Sequence, residues 1–250
     1  RLKINIDMGD QKALFSEELA GTVSATWLHG ATATQLKAEM ELKLLPTRTS
    51  FPSFQDYTFD DPSKAYEPES QKIFQGTLND SGDISFSKNI APQKNAPGSL
   101  TARLTTRVHE PGGAFSTDYL NMPYHPFDHY VGFELPDSDG HGGIYIDSTY
   151  TINLARLSAK GNPAGNGQVE IKLYRLGWRW WWEKEGESIA DFMARRSFEP
   201  TLIDTVTLSN GRGTWSLRLG NYGRYFVQIK DLNGEHSSGK IFHGNWRNWW

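Results

Sequence analysis

Short stretches of alternating apolar and polar residues dominate this chain, and Gly, Pro, Asn and Asp separate them. Alternation with a period of two places one set of side chains on a buried face and the other in solvent, as in a half-exposed β-strand. Few stretches have apolar residues at helical spacing. The pattern therefore predicts an all-β protein, with strands near 2–7, 20–28, 38–45, 71–78, 83–86, 100–108 and 115–119, and near 130–135, 150–157, 168–176, 202–208, 213–219, 224–231 and 239–243.

The two series of strands predict two domains. About seven strands in roughly 120 residues is the density of an antiparallel sandwich. We therefore expect two tandem seven-stranded antiparallel β-sandwiches with immunoglobulin- or fibronectin III-like architecture. Between them, Pro123 and Pro126 are expected to interrupt strand pairing, which places the boundary between domains 1–126 and 127–250.

A local pattern recurs in both halves. Small residues at 29–37 precede one alternating strand, and small residues at 159–167 precede another. This suggests two copies of one architecture, and the glycine-rich run 161–167 is interpreted as a hairpin turn.

Two long segments interrupt the strand pattern. Residues 47–70, rich in Pro, Ser and Asp, contain spaced aromatic residues that predict a long loop pinned to a sheet. Residues 177–200 form a Trp-rich insertion in the second domain, and they hold a short predicted helix of about two turns. The residues that indicate the helix are a capping Ser188, Asp191 three positions later, and Ile189, Phe192 and Met193 on one face.

Composition excludes several classes of protein. The 250 residues include 26 Lys and Arg against 29 Asp and Glu, which leaves no basic surface for nucleic acid. The chain has no Cys, so a disulfide, a thiolate metal site, a cysteine nucleophile and a thioester are excluded within it. No apolar run approaches the roughly 20 residues of a membrane helix. Because it begins at Arg1 without a signal peptide, we expect a piece of a longer protein.

Residue patterns for catalysis are missing. The sequence has no G-x-S-x-G, H-E-x-x-H, phosphate-binding or dinucleotide-binding motif. His125, Asp128 and His129 have ligand types that suit zinc, but their proline-rich surroundings favour a solvated or packing role. Asp137 begins a stretch like a calcium loop, yet Ser148 stands where such a loop needs Glu, which favours a polar turn. We predict no enzyme activity, no metal and no cofactor.

Tryptophan is concentrated in one part of the chain. Eight of nine tryptophans lie from Trp178 onward. In a strand, Trp178, Trp180 and Trp182 would share one face, and Trp181 would point the other way. These residues are candidates for a packing or interface surface, or for a platform that stacks sugars. A cell-surface carbohydrate-binding protein is therefore the alternative function.

Several stretches resemble the bacterial alpha-2-macroglobulin family. In the second half they are 168–183, 204–217, 223–231 and 238–242, and in the first half they are 18–31. The resemblance implies two macroglobulin-like domains, of the kind that lie upstream of the bait-region domain. We expect a bait-region domain directly after Trp250.

The resemblance also implies a function. Proteins of this family are protease-trapping inhibitors, in which cleavage of an exposed bait triggers a rearrangement that confines the protease. These domains would be structural, would meet proteases through the full-length parent, and would contact neighbouring macroglobulin-like and bait-region domains. The fragment itself is expected to be monomeric. The parent is expected to be a membrane-anchored lipoprotein in the periplasm or at the cell surface, with any thioester outside this chain.

The insertion of the second domain has two interpretations. Residues 183–200 carry side chains that several protease classes accept beside a cleaved bond, which makes them a candidate bait or protease-contact site: Lys184, Phe192, Met193, Arg195 and Arg196. Alternatively, the insertion is ordered and its helix covers the tryptophan face.

Overall fold

The computed structural model describes residues 1–15, 18–138, 140–177, 189–190, 193 and 199–247. Its regular elements in these ranges are sixteen β-strands, and Ile189, Ala190 and Met193 have helical conformation. The predicted all-β class is confirmed. No helix within the described ranges has the length and apolar character needed to cross a membrane.

The chain divides into two compact units that are interleaved along the sequence. Unit 1 comprises Arg1–Thr47, Glu67–Gln93 and Leu100–Pro126, and unit 2 comprises Arg48–Tyr66, Lys94–Ser99 and Phe127–Trp250. Two segments from the first half of the sequence are thus part of unit 2. We call Arg48–Tyr66 the strap.

Unit 1 is a sandwich of two sheets. Its strands are β1 (Leu2–Asp7), β2 (Leu14–Phe15), β3 (Glu18–Trp27), β4 (Lys37–Pro46), β5 (Ser70–Thr77), β6 (Asp83–Asn89), β7 (Leu100–His109) and β8 (Phe115–His125). The small sheet has the order β1-β3-β6, and the large sheet has the order β2-β8-β7-β4-β5.

Unit 2 repeats this topology. Its strands are β9 (His129–Glu134), β10 (Ile144–Tyr145), β11 (Thr149–Ser158), β12 (Gly167–Leu176), β13 (Leu202–Leu208), β14 (Arg212–Arg218), β15 (Gly223–Asp231) and β16 (Ser237–Asn245). The orders β9-β11-β14 and β10-β16-β15-β12-β13 match those of unit 1 strand for strand. Two tandem sandwiches are therefore confirmed. The sequence missed β2 and β10, because two residues are too few to show alternation.

The interpretation of 161–167 as a hairpin turn is wrong. β11 belongs to the small sheet of unit 2 and β12 to the large one, so the chain crosses between sheets here. The segment between β3 and β4 makes the same crossing in unit 1. The two stretches of small residues therefore occupy equivalent places in a repeated topology.

Pro123 does not interrupt strand pairing, contrary to the expectation. β8 continues through it to His125, and Pro123 lies opposite Thr101 of β7. On the other side of β8, the pairing within the described residues is with β2, at Tyr124 and His125. Most of β8 is therefore a sheet edge, where a residue without an N–H group is tolerated.

The core of unit 2 lies between its two sheets. Alternate residues of β12 and β15 point into it, including Ile171, Leu173, Val227 and Ile229, which are at most 4% exposed. Trp215 of β14 fills the same core and is 4% exposed. Burial of each such side chain stabilises the fold by about 1.5–3 kcal/mol.

Candidate functional site

The outer face of the large sheet in unit 2 is apolar as well. Leu173 pairs with Val227 and points into the core, so the next residues on each strand, Tyr174 and Phe226, point outward. Tyr174 is nevertheless only 7% exposed and Phe226 is fully buried. Since outward residues of an antiparallel sheet normally face solvent, other segments must cover this face.

Residues of the insertion cover one part of it. Ile189 and Met193, four residues apart as on one side of a helix, pack on Tyr174 and Phe226. The rings of Tyr174 and Phe226 stack with centroids 6.1 Å apart. Ile189 is 7% exposed, which is the burial of a core residue.

The two ends of the insertion are close together. β12 ends at Leu176, and on the return of the chain the amide N–H of Thr201 donates to the carbonyl oxygen of Leu173 at 2.7 Å. Leu202 then pairs with Leu173 at the start of β13. The insertion is thus a long connection between two neighbouring antiparallel strands.

Few of the predicted site residues fall in the described part of the chain. Met193 does, and it packs against the cluster of Tyr174, Leu176, Ile189 and Phe226. The other candidates lie outside the described residues: Lys184, Phe192, Arg195 and Arg196 for the bait or protease contact, and Trp178, Trp180, Trp181 and Trp182 for packing, interface or sugar stacking. Ser188 and Asp191 of the predicted helix do so too.

The strap covers another part of the same face through a buried carboxylate. Asp61 is 0% exposed, and its Oδ2 accepts hydrogen bonds from Gln228 Nε2 at 2.8 Å and Ser237 Oγ at 2.5 Å. Its Oδ1 accepts from the amide and the hydroxyl of Ser63 at 2.9 and 2.6 Å. Four donors thus compensate the desolvation of a buried charge.

Aromatic residues attach the strap on its other side. Phe51 makes edge-to-face contacts with Phe59, at 4.9 Å between centroids, and with Tyr130 of β9, at 5.6 Å. Tyr130 in turn lies 4.7 Å from the ring of His236, which also contacts Phe127 at 5.0 Å. Such aromatic pairs are worth about 0.5–1.5 kcal/mol beyond the area that they bury.

His236 is a neutral, buried histidine. Its Nδ1 accepts the backbone N–H of Val131 at 3.0 Å, so the proton of the neutral ring is on Nε2. Burial lowers the pKa of His236 to about 3, and the nearby Asp61 opposes this only in part. The imidazole therefore acts as a hydrogen-bond acceptor for β9 and as a packing surface.

The strap is also joined to the second inserted segment, Lys94–Ser99. The carboxylate of Asp60 accepts the N–H of Thr49 at 3.1 Å, and Thr49 Oγ1 accepts the N–H of Ser99 at 2.7 Å. Burial raises the pKa of Asp60, while the hydrogen bonds from Thr49 lower it.

A buried ion pair holds the crossover between the sheets of unit 2. Arg156 Nε lies 2.9 Å from Asp231 Oδ2, with side chains 7% and 0% exposed. Arg156 Nη1 also donates to the carbonyl oxygen of Ala164 at 2.6 Å. The pair thereby links β11, β15 and the turn between β11 and β12.

The remaining predicted polar residues have local roles. His125 stacks on Phe15 with ring centroids 5.4 Å apart, and burial lowers its pKa. Asp137 accepts the N–H of Gly142 at 2.9 Å in the turn after β9. Among the described residues, no three His, Asp or Glu side chains converge as metal ligands would. The described geometry is that of a covered packing surface.

Sequence reasoning anticipated a pinned loop at 47–70 but missed its partners. Asp61, Gln228 and Ser237 are polar residues far apart in sequence, and nothing in their local pattern indicates that they meet. The available signal was the spacing of Phe51 and Phe59 among prolines, because exposed loops rarely hold so many large apolar side chains.

The strand order shared by the two units defines a tandem of β-sandwiches with one repeated topology. Residues 1–126 match the bacterial alpha-2-macroglobulin MG5 domain, and residues 135–246 match bacterial macroglobulin domain 6. The chain belongs to the bacterial alpha-2-macroglobulin family.

Solved structures of that family have the same fold. The native conformation of E. coli alpha-2-macroglobulin is 21% identical with a TM-score of 0.60, over 100% of this chain and 16% of that one. E. coli alpha-2-macroglobulin activated by porcine elastase is 21% identical with a TM-score of 0.64, over 99% of this chain and 22% of that one. A mutant of Salmonella alpha-2-macroglobulin is 20% identical with a TM-score of 0.59, over 98% of this chain and 17% of that one. The chain thus spans about a fifth of these proteins or less. No curated protein matches it significantly.

Proposed function

We propose that this chain forms two consecutive structural domains of a larger bait-and-trap inhibitor of endopeptidases, and that it catalyses no reaction itself. The observation that carries the proposal is the adjacent match of MG5 and domain 6 in a single chain, in that order. The likeness to an alpha-2-macroglobulin that elastase activates supports a role in protease capture. In this role, proteases interact with the whole parent protein.

Cleavage of a large and a small substrate by the same protease tests this role. A protease enclosed in a cage keeps its active site, so it should still cleave a chromogenic peptide while it loses activity on casein. We expect the full-length parent to produce this difference with trypsin and with elastase. The separate 250-residue chain is the matched control and should change neither activity.

Two results would contradict the proposal. If the separate chain lowers cleavage of the small peptide, it blocks active sites directly and is not a structural part. If the parent leaves casein cleavage unchanged with both proteases, no trap exists.

Within this role, we propose that the insertion after β12 covers the large sheet of unit 2 and is not the bait. A bait must be exposed to a protease, whereas Ile189 and Ala190 are 7% and 6% exposed. The packing of Ile189 against Tyr174 and Phe226 supports the covering role.

Limited proteolysis separates these two interpretations. At a low ratio of trypsin or chymotrypsin to the protein, we expect the first cuts in loops outside the insertion. The bonds beside Lys184, Phe192, Arg195 and Arg196 should remain intact. Phe115, which follows the exposed loop at Gly112 and Gly113, serves as an internal reference for chymotrypsin, and the exposed Lys12 between β1 and β2 serves as one for trypsin. First cleavage within 183–200 by both proteases would instead assign the bait to this insertion.

We further propose that the parent acts outside the cytoplasm, anchored to a membrane, because a protease trap must meet foreign proteases. Fractionation of cells that produce the tagged parent tests this. Recovery in the cytoplasmic fraction alone would contradict it.

A further inference from the structure

The strap fits unit 2 at places where only glycine leaves room. A Cβ atom on Gly132 of β9 would lie 2.4 Å from Cε1 of Phe59, so the Phe59 ring lies directly against the strand backbone. A Cβ on Gly98 would lie 2.2 Å from Oδ1 of Asp60, and one on Gly161 would lie 2.9 Å from Cδ1 of Phe51. Three glycines of unit 2 thus make room for the strap.

The strap also pairs with exposed backbone groups of both sheets. β9 is the edge strand of the small sheet, and Thr58 exchanges two backbone hydrogen bonds with Phe133 there, at 2.8 and 3.2 Å. On β16 of the large sheet, the N–H of Gly239 donates to the carbonyl oxygen of Asp60 at 2.9 Å. An uncovered strand edge leaves such groups unpaired, and the strap satisfies them.

Polar side chains of unit 2 complete the match to the acidic part of the strap. Gln228 and Ser237 direct their donors at Asp61, which is fully buried. Without the strap, these two donors would lose the carboxylate of Asp61, and Tyr130 would lose its edge-to-face contact with Phe51.

We infer that unit 2 contains a built acceptor site for an extended aromatic and acidic peptide, that the strap is its ligand, and that the core of unit 2 reaches full stability only when the strap is seated. The autonomous folding unit is then the strap, Lys94–Ser99 and Phe127–Trp250 together. This inference is independent of protease inhibition, because it concerns only how unit 2 is completed.

The test uses the whole chain with Gly132→Ala, which inserts a methyl group against Phe59. We expect trypsin to cleave beside Arg48 and Lys64, which lie in the strap, at least tenfold faster than in the parent sequence. Hydrogen exchange in β12 and β15 should accelerate as well, while exchange in β4 and β7 of unit 1 stays unchanged. Gly220→Ala is the matched control, because no heavy atom lies within 4 Å of its Cβ position.

A second substitution makes the contact itself testable. Phe59→Leu removes ring atoms at the place of the clash, so the double variant Gly132→Ala/Phe59→Leu should recover much of the protection that Gly132→Ala loses. If Gly132→Ala prevents folding, Asp61→Asn provides a milder perturbation, and it should accelerate strap cleavage several-fold with the same effect on β12 and β15.

Two results would overturn the inference. One is rapid strap cleavage while exchange in β12 and β15 remains that of the parent, which would make the strap a dispensable surface loop. The other is equal protection of the strap in Gly132→Ala and Gly220→Ala, which would mean that no close fit exists at β9.

Discussion

The two units share one strand order but use the outer face of the large sheet differently. When the Leu173–Val227 pair of unit 2 is matched to the Leu42–Leu104 pair of unit 1, the outward positions can be compared directly. Tyr174, Phe226 and Ile241 in unit 2 correspond to Lys43, Arg103 and Asn121 in unit 1. The same topology therefore has a covered, apolar outer face in unit 2 and a charged outer face in unit 1.

Unit 1 shows the ordinary solvated arrangement. Arg107 lies 3.6 Å from Glu39 and 3.8 Å from Glu41 across its outer face, and these side chains are 22–38% exposed. Tyr119 on the same strand as Asn121 is 61% exposed. In unit 2 the position of Tyr119 is taken by Gly239, whose small size lets the Phe226 ring approach the backbone. Outward residues, and not strand order, therefore decide whether a sheet becomes a docking surface.

The connections that follow equivalent strands also diverge. The 47–69 connection after β4 contributes the strap to unit 2, whereas the 177–201 connection after β12 contributes Ile189 and Met193 to the unit from which it arises. Both connections therefore contribute residues that cover the outer face of the large sheet of unit 2.

The largest expected effect on stability comes from breaking the buried ion pair between Arg156 and Asp231 of unit 2. At the position of Asp231, unit 1 has the aliphatic residue Val108. Asp231 pairs with Val169 as Val108 pairs with Ala38. Asp231→Val should lower the free energy of unfolding by about 3–5 kcal/mol, because it leaves the charge of Arg156 buried without a partner. Denaturant unfolding measures this change.

The double variant Arg156→Met/Asp231→Val is the control for that change. Removal of both charges should restore most of the stability, because an apolar pair of similar size carries no desolvation penalty. A double variant no more stable than Asp231→Val would mean that the charges matter little and that packing dominates.

A smaller effect is expected from loss of the cover. Ile189→Ala removes buried apolar surface from the Tyr174–Phe226 cluster and should destabilise unit 2 by about 2–3 kcal/mol. Tyr119→Ala on the exposed face of unit 1 is the matched control and should change stability by less than about 0.5 kcal/mol. Equal losses of stability for the two variants in thermal unfolding would contradict the proposed difference between the two outer faces.

The next effect depends on pH. The pKa of His236 is about 3 in the folded state, below the usual 6.5, so the unfolded chain binds the proton first as pH falls. The neutral, buried His236 therefore contributes stability that is fully present above pH 6.5 and is lost as the pH falls from 6.5 to 3. At pH 5 we expect the free energy of unfolding to be lower by about 2 kcal/mol for this reason.

His236→Asn tests this pH dependence, since its amide oxygen can still accept the N–H of Val131. The variant should show a smaller loss of stability between pH 7.5 and 5 in denaturant unfolding. His29→Asn, at an exposed histidine of unit 1, should leave the loss unchanged. An identical pH dependence in the parent and His236→Asn would show that other groups control it.

The smallest effect is expected on the charged face of unit 1. Glu39→Gln weakens its contacts with Arg107 and His109, which lie 3.6 and 3.5 Å away. Exposed ion pairs contribute about 0–1 kcal/mol, so we expect a change below 1 kcal/mol that decreases further in high salt. A loss comparable to that of Ile189→Ala would show that this face is structurally as important as the covered one.

Local patterns predicted the strands well and their pairing less well. Alternation located Leu2–Asp7 correctly and most other strands to within three residues, because buried and solvated side chains alternate along strands such as Leu2–Asp7. The strand predicted at 115–119 continues to His125, since the proline expected to interrupt it, Pro123, is tolerated at the sheet edge. The turn at 161–167 was misassigned, since a run of small residues suits a hairpin and a crossing between sheets equally. Tyr174 and Phe226 are apolar residues at outward positions of their strands, which indicates that this face of the sheet is covered. The sequence does not show which segments cover it.

Local sequence was sufficient to predict an all-β chain with two sandwich halves, to exclude cysteine chemistry within it, and to reveal the resemblance to bacterial alpha-2-macroglobulins. Period, composition and motif are local properties, so they can be read from neighbouring residues. Only the tertiary structure assigned the strap to unit 2, joined Asp61 to Gln228 and Ser237, and buried the pair of Arg156 and Asp231. These contacts connect residues 75–176 positions apart, so their energies depend on the assembled fold and leave no pattern in the neighbouring sequence.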